Sequence, residues 1–241
     1  MSPPNVHVFE TPQDLAEAAA KAFAQEATRS IRENGRFAVA LAGGSTPKAL
    51  YELLAARYRN ALDWSGIHVF FGDERTVPPD HEDSNYRMAY ETLLSRVPAG
   101  SVHRMPGELD PQEAAVLYEK ELTAFFDGSP RFDLVLLGIG EDGHTASLFP
   151  RTPALDVNDK WVVENPVQKL GTTRLTLTVP AINAARKVTF LVAGESKAEA
   201  LKEVLEGDAH PRDYPAKLVQ PADGPPDWFV DRAAASLLGR L

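Results

Sequence analysis

Residues 138–144, GIGEDGH, crowd three glycines, two acids and one imidazole into a single short stretch. Gly138, Gly140 and Gly143 allow left-handed backbone angles and a close approach of ligand to the main chain. That loop delivers a carboxylate, Asp142, and an imidazole, His144. An imidazole can take a proton from water near neutral pH and hand it on to a leaving oxygen. General-base help of this kind is worth about a factor of 10²–10⁴, enough for a reactive ester and too little for an amide. A second cluster, Gly43-Gly44-Ser45-Thr46, runs into Pro47 and KALYELLAARY. Free N–H groups and the dipole at such a helix start can hold an anion, with the Ser45 and Thr46 hydroxyls as extra donors. The dipole alone contributes only about 0.3–1 kcal/mol, so an anion needs further partners. Asp73-Glu74-Arg75 sits at a strand end, where charges are either solvated or line a site, and Lys197 stands in a first helical turn, against the macrodipole preference.

Other chemistries fit less well. The chain has no cysteine, so thiol nucleophiles, disulfides and cysteine-ligated zinc are excluded. It has neither a GxSxG elbow nor an HExxH pair. His81, among Asp80, Glu82 and Asp83, reads as a solvated acidic loop rather than a metal site. Gly138, Gly140 and Gly143 do spell GxGxxG, but that fingerprint needs a full helix behind it. Pro150 arrives too soon for one, and Asp156 lies in a turn-like DVNDK, so a nicotinamide or flavin site is set aside.

The elements that must position these groups follow from hydrophobic pattern. Phe132–Leu137 reads as an apolar strand buried on both faces, as do 36–42, 67–72 and 188–193. A strand at 6–10 reads as an edge, and alternation places strands near 101–105, 161–164 and 174–179. Thr11-Pro12-Gln13-Asp14 opens a helix that Gly35 stops. Thr46 reads as the cap of the next helix, with Pro47 at its first position. Further helices are expected from Ser84 to Val97, from the Asp110 capping box to Phe126, as a short turn at 180–186, and after Lys197. Residues 207–226 read as loop, then a brief strand and a closing helix to Leu238. Strand and helix alternate without repeat or linker. The expectation is α/β: one doubly wound, mostly parallel sheet with helices on both faces, as a single domain over residues 1–241. In such a sheet Gly43–Thr46, Asp73–Arg75, Gly138–His144 and Gly194–Lys197 share the carboxyl edge and converge on one crevice.

Bulk properties narrow the partners. The 241-residue chain, 44% hydrophobic and 24% charged, is ordinary for a soluble globular protein. Its net charge of −9, with no basic cluster, argues against nucleic acid as a partner. No apolar run is long enough to span a membrane, and the N-terminal MSPPNVHVFETPQD carries no visible secretory signal, so a cytoplasmic location is expected. The sequence reads as a monomer, with oligomerisation left open.

Four motifs in order, LAGGSTP, GDERTVP with SNYRM, LGIGEDGHTASLFP, and RLTLTVPAINAARKVTFLVAGESKAEAL, resemble the 6-phosphogluconolactonase family from about residue 6 onward. The resemblance implies hydrolysis of 6-phospho-D-glucono-1,5-lactone to 6-phosphogluconate, in the oxidative pentose phosphate pathway, with no cofactor and no metal. It implies the fold shared with glucosamine-6-phosphate deaminase and ribose-5-phosphate isomerase. By position, His144 is then the base that activates water, and Asp142 orients His144 or a sugar hydroxyl. Asp73 and Arg75 stand beside the sugar ring, Arg75 either stabilising the oxyanion or anchoring a sugar oxygen. Gly43, Gly44, Ser45 and Thr46 match the phosphate loop, with Arg174 and Lys197 as its cationic partners. Ala42 stands where the family often has serine. Deaminases follow their GH with a stretch like IAFNEP, which holds an acid; here TASLFP holds none from Thr145 to Pro150. That contrast favours the lactonase over an isomerase or deaminase. The lack of a DNA-binding segment argues against a sugar-phosphate sensor.

Overall fold

Strand β2 (Phe37–Leu41) shows why the main sheet forms. Its large residues Phe37, Val39 and Leu41 face one hydrophobic layer and its alanines Ala38 and Ala40 the other, all buried. A strand covered on both sides belongs in the middle of a layered α/β fold. The computed structural model describes residues 5–239. The remaining strands are β1 (Asn5–Phe9), β3 (Ile67–Phe71), β4 (Asp73–Arg75), β5 (Ser101–Val102), β6 (Leu134–Leu137), β7 (Val162–Val167), β8 (Thr172–Leu177), β9 (Val188–Val192) and β10 (Asp227–Asp231). The helices are α1 (Pro12–Asn34), α2 (Ser45–Arg57), α3 (Asn85–Thr92), α4 (Pro111–Phe126), α5 (Val179–Asn183) and α6 (Ala198–Glu206).

Seven strands pair in the order β1-β10-β9-β6-β2-β3-β5, every pairing parallel. Helices α1, α2 and α3 cover one face; α4, α5 and α6 cover the other. The expected α/β fold with a helix-flanked, mostly parallel sheet is what the chain adopts. Local signals hold at α1, where Thr11 and Asp14 form a reciprocal capping box, Pro12 opens the helix and Gly35 closes it.

Several local readings need correction. A second, antiparallel sheet of order β4-β8-β7 packs on the α4 face, and the charges Asp73–Arg75 form its first strand. The cap of α2 is Gly44, not Thr46. Gly44 takes φ 103 and ψ 172, so the helix starts at Ser45 with no side-chain cap and Pro47 falls in its third position. Phe132–Leu137 is not apolar throughout: Asp133 is buried before β6, accepting the Ala38 N–H at 2.8 Å and lying 3.3 Å from Arg186. Past β10 the described residues form turns rather than a closing helix. The reading of the extreme N-terminus as signal-free falls partly on residues 1–4, and the 1–241 domain bounds on 1–4 and 240–241, outside the described residues. Among the described residues no helix is long and apolar enough to cross a membrane.

Two tyrosines, one from each face, hold the strand ends that lead into loops. From α2, the fully buried Tyr51 hydroxyl accepts the Ala42 N–H at 3.0 Å and donates to the Ala42 carbonyl at 2.8 Å. From α4, the Tyr118 hydroxyl accepts the Phe71 N–H at 2.9 Å and lies 3.2 Å from the Phe71 carbonyl. Burial pushes both phenols above their ordinary pKa, so they stay neutral and able to donate. Tyr51→Phe leaves two backbone groups of Ala42 without these partners. It should cost about 1–3 kcal/mol, seen as a lower denaturation midpoint at unchanged m-value. An unchanged midpoint would mean water replaces the hydroxyl without loss.

Candidate active site

The sheet reverses its strand order between β2 and β6. From β2 the chain proceeds outward to β3 and β5; from β6 it proceeds the other way, to β9 and β10. Crevices at such switch points, beyond the carboxyl ends of the strands, hold ligands in open α/β sheets. Here the crevice is a cavity of about 500 Å³. It is lined by Gly43 and Gly44 after β2, Gly138, Asp142 and His144 after β6, and Lys197 after β9. The small sheet closes the cavity with Asp73 and Arg75 from β4 and Arg174 from β8.

His144 and Asp142 form one unit. The His144 Nδ1–H donates to Asp142 Oδ1 at 2.5 Å, and the His144 main-chain N–H reaches the same oxygen at 3.3 Å. That bond holds the Asp142 carboxyl well below the usual carboxylate range, against the opposing effect of burial. Lys169 adds a contact to Asp142 Oδ2 at 3.4 Å. A proton on Nδ1 leaves Nε2 with its lone pair, and among the described residues no protein group bonds Nε2. The imidazole stacks on Phe149, centroids 4.1 Å apart. Gly140 allows this close geometry: a Cβ there would lie 2.0 Å from His144 Nδ1. The loop is closed by the Gly140 N–H to the His144 carbonyl at 2.8 Å and by the Thr145 hydroxyl to the Gly138 carbonyl at 2.8 Å.

Asp73 is held on both carboxylate oxygens, by the Ser147 hydroxyl at 2.7 Å and by Asn85 Nδ2 at 3.2 Å. Arg75 donates to the Asp83 carbonyl and sits directly across the strand pair from Arg174. Burial, and then the like charge of Arg75, lower the Arg174 pKa. Two guanidinium groups in facing register repel, and an anion between or beside them relieves that repulsion. Lys197 lies 3.9 Å from Glu141.

Eight of the residues expected from sequence therefore share the cavity wall: Gly43, Gly44, Asp73, Arg75, Asp142, His144, Arg174 and Lys197. Ser45 and Thr46 are not in the lining; they form the first turn of α2 behind Gly44, Ser45 exposed and Thr46 half-buried. What they offer there is main-chain N–H groups that no helix carbonyl can take. Sequence reasoning did not single out Asn85, Ser147, Phe149 or Lys169, all in the wall. The first three lie inside motifs already noted (SNYRM and TASLFP), whereas Lys169 sits on the β7–β8 hairpin tip with no local signal.

Comparison with known proteins identifies the family. The family described as "Glucosamine-6-phosphate isomerases/6-phosphogluconolactonase" matches residues 10–228. A 6-phosphogluconolactonase of Synechocystis sp. is 48% identical over 242 residues, covering 98% of this chain and 98% of the relative. The solved 6-phosphogluconolactonase from Trypanosoma cruzi matches with a TM-score of 0.88 at 30% identity, over 98% of this chain and 97% of that one. A monomeric glucosamine-6-phosphate deaminase is similar as well, with a TM-score of 0.80 at 25% identity, over 97% of this chain and 99% of that one. With a family match across most of its length and a near-half-identical full-length relative, the chain belongs to the glucosamine-6-phosphate isomerase/6-phosphogluconolactonase family.

Proposed function

We propose that this protein hydrolyses 6-phospho-D-glucono-1,5-lactone to 6-phospho-D-gluconate, with His144 as the base that turns water onto the lactone carbonyl. One observation carries the reading: an imidazole oriented by Asp142 presents a free Nε2 to a cavity that also holds four cations and a helix start. The likeness to relatives named as lactonases supports the choice of substrate.

The steps follow from these groups. Water between Nε2 and C1 loses a proton to His144 as its oxygen bonds the carbonyl carbon. The imidazolium that forms is stabilised by the Asp142 carboxylate on Nδ1, the arrangement that keeps Nε2 facing the reaction. Negative charge builds on the carbonyl oxygen, where Arg75 or main-chain N–H groups receive it. The C1–O5 bond then breaks, and His144 returns its proton to O5, leaving a hydroxyl and a carboxylic acid that ionises. Asp73, held by one bond on each oxygen from Ser147 and Asn85, keeps lone pairs free as a fixed acceptor for ring hydroxyls. The phosphate goes to Gly43–Gly44 and the N–H groups of Ser45 and Thr46, with Arg174 and Lys197 as counter-charges. Within the same proposal, residues 1–241 act as one catalytic domain in the cytoplasm, without metal or cofactor. The deaminase alternative lacks support from the stretch after His144, since Thr145–Pro150 contains no carboxylate.

The test is proton release from freshly prepared lactone, corrected for spontaneous opening. His144→Ala should cut turnover by about 10²–10⁴ while 6-phosphogluconate still binds; unchanged turnover would remove His144 from the mechanism. Arg174→Ala and Lys197→Ala should each raise KM far more for the phosphorylated lactone than for glucono-1,5-lactone. Equal losses on both substrates would show that these cations do not read the phosphate. Asp142 has its folded pKa lowered, so its pairing favours the fold above the ordinary carboxylate range and is lost as pH falls through the lowered value. The Tm gap between wild type and Asp142→Asn should accordingly stay constant near neutrality and shrink in acid. A gap that widens in acid would contradict the assigned direction.

A further inference from the structure

Strand β4 carries three charges, and the period of two in a strand sends its first and third side chains to one side. Asp73 and Arg75 line the cavity, so Glu74 points away from it, into the protein. Glu74 is 2% exposed, and among the described residues no lysine or arginine forms an ion pair with it. Four donors converge on it instead. Oε1 accepts the N–H of Arg75 at 2.8 Å and of Asn85 at 2.7 Å. Oε2 accepts the N–H of Tyr86 at 2.8 Å and the Ser84 hydroxyl at 3.1 Å. Ser84 caps α3, and Asn85 and Tyr86 are its first two residues, whose N–H groups have no helix partner and favour an anion.

One carboxylate therefore ties together both ends of the loop 76–83. It locks the Arg75 main chain against that of Asn85. Asn85 in turn donates to the Asp73 carbonyl at 2.9 Å and to its carboxylate at 3.2 Å. On its other side Asn85 abuts the glycine loop, so closely that a Cβ on Gly43 would lie 2.0 Å from Asn85 Oδ1. Moving the start of α3 thus moves Asn85, and with it the support of Asp73 and of the Gly43 turn.

We propose that Glu74 is a positioning residue for the lactone site: without meeting substrate, its carboxylate sets where Arg75, Asp73 and Asn85 stand in the cavity. The proposal rests on the lactonase reading and deepens it. An amide is a poor replacement for the carboxylate, because three of the four groups facing it are main-chain N–H donors and only the Ser84 hydroxyl can turn to accept. Glu74→Gln would turn one oxygen into an NH₂ group confronting two of those groups.

The test compares wild type, Glu74→Gln and Glu74→Asp in kcat, KM and Tm, with the Kd for 6-phosphogluconate from calorimetry. In Glu74→Gln, kcat/KM should fall by about 10²-fold, the scale of a one-ångström misplacement of positioned groups, with KM and Kd both raised. The pH profile of kcat should keep its wild-type shape, because the His144–Asp142 pair is not touched. Glu74→Asp, which keeps an all-acceptor carboxylate on a shorter arm, should recover part of the loss. A lower Tm with wild-type kcat, KM and Kd would overturn the proposal and leave Glu74 a purely structural cap. Where Glu74→Gln does not fold, Glu74→Asp decides on the same readouts, with unchanged KM and Kd again overturning it. Wild type inert toward the lactone would instead refute the lactonase reading, while the Kd comparison would still judge Glu74.

Discussion

A strand that stops inside a protein leaves its last N–H and C=O groups to be satisfied by something other than the next strand residue. Left bare in a buried place, each such group costs roughly what a lost hydrogen bond costs. At the carboxyl edge of this sheet the answer is the same four times: a buried side chain takes up the backbone. Tyr51 does so after β2 and Tyr118 at the end of β3. Thr145 takes the Gly138 carbonyl after β6, and Asp231 accepts the Gly194 N–H after β9 at 3.0 Å. Because buried side chains carry this duty, the loops need no regular structure of their own. They are free to aim glycine main chain, an acid–imidazole pair and cations into one cavity.

The same edge reconciles an acidic protein with an anionic ligand. A net charge of −9 repels a sugar phosphate at long range. Within the cavity the balance reverses, through Arg75, Arg174, Lys197 and Lys169 and the uncapped start of α2. Each acid there already has a partner: Asp142 has His144 and Lys169, Asp73 has Ser147 and Asn85, and Glu141 lies near Lys197. The facing pair Arg75 and Arg174 is the clearest sign of a ligand's place, since their mutual repulsion is an arrangement that an anion improves.

The central strands were legible because burial on both faces leaves only apolar residues to choose from, as in FAVAL. The Asp142–His144 loop was legible because its glycines come at a spacing that few other uses require. The small sheet was legible only in part: strands were expected at 161–164 and 174–179, over β7 and β8, but β4 was missed. Its first strand is three charged residues, and β7 contains Asn165-Pro166, which breaks a strand pattern; the proline is tolerated because β7 is the outer strand of its sheet. Thr46 misled as a cap because cap preferences assume a residue with a side chain, whereas Gly44 takes a conformation open to glycine and needs no cap bond. Glu74 was hidden by its neighbours: three adjacent charges look equally solvated until strand geometry sends the middle one inward. Lys169 reaches the site across a hairpin, a tertiary fact with no trace in local sequence.

The proposed hydrolysis requires a single cavity that holds the phosphate at the glycine turn while the imidazole faces the reacting carbon. A crystal structure with 6-phosphogluconate bound tests it directly. The phosphate should lie against Gly43, Gly44 and the first N–H groups of α2, within reach of Arg174 or Lys197, and the C1 carboxylate within hydrogen-bond distance of His144 Nε2. A reversed ligand, with phosphate beside His144 and C1 at the glycine turn, would contradict it.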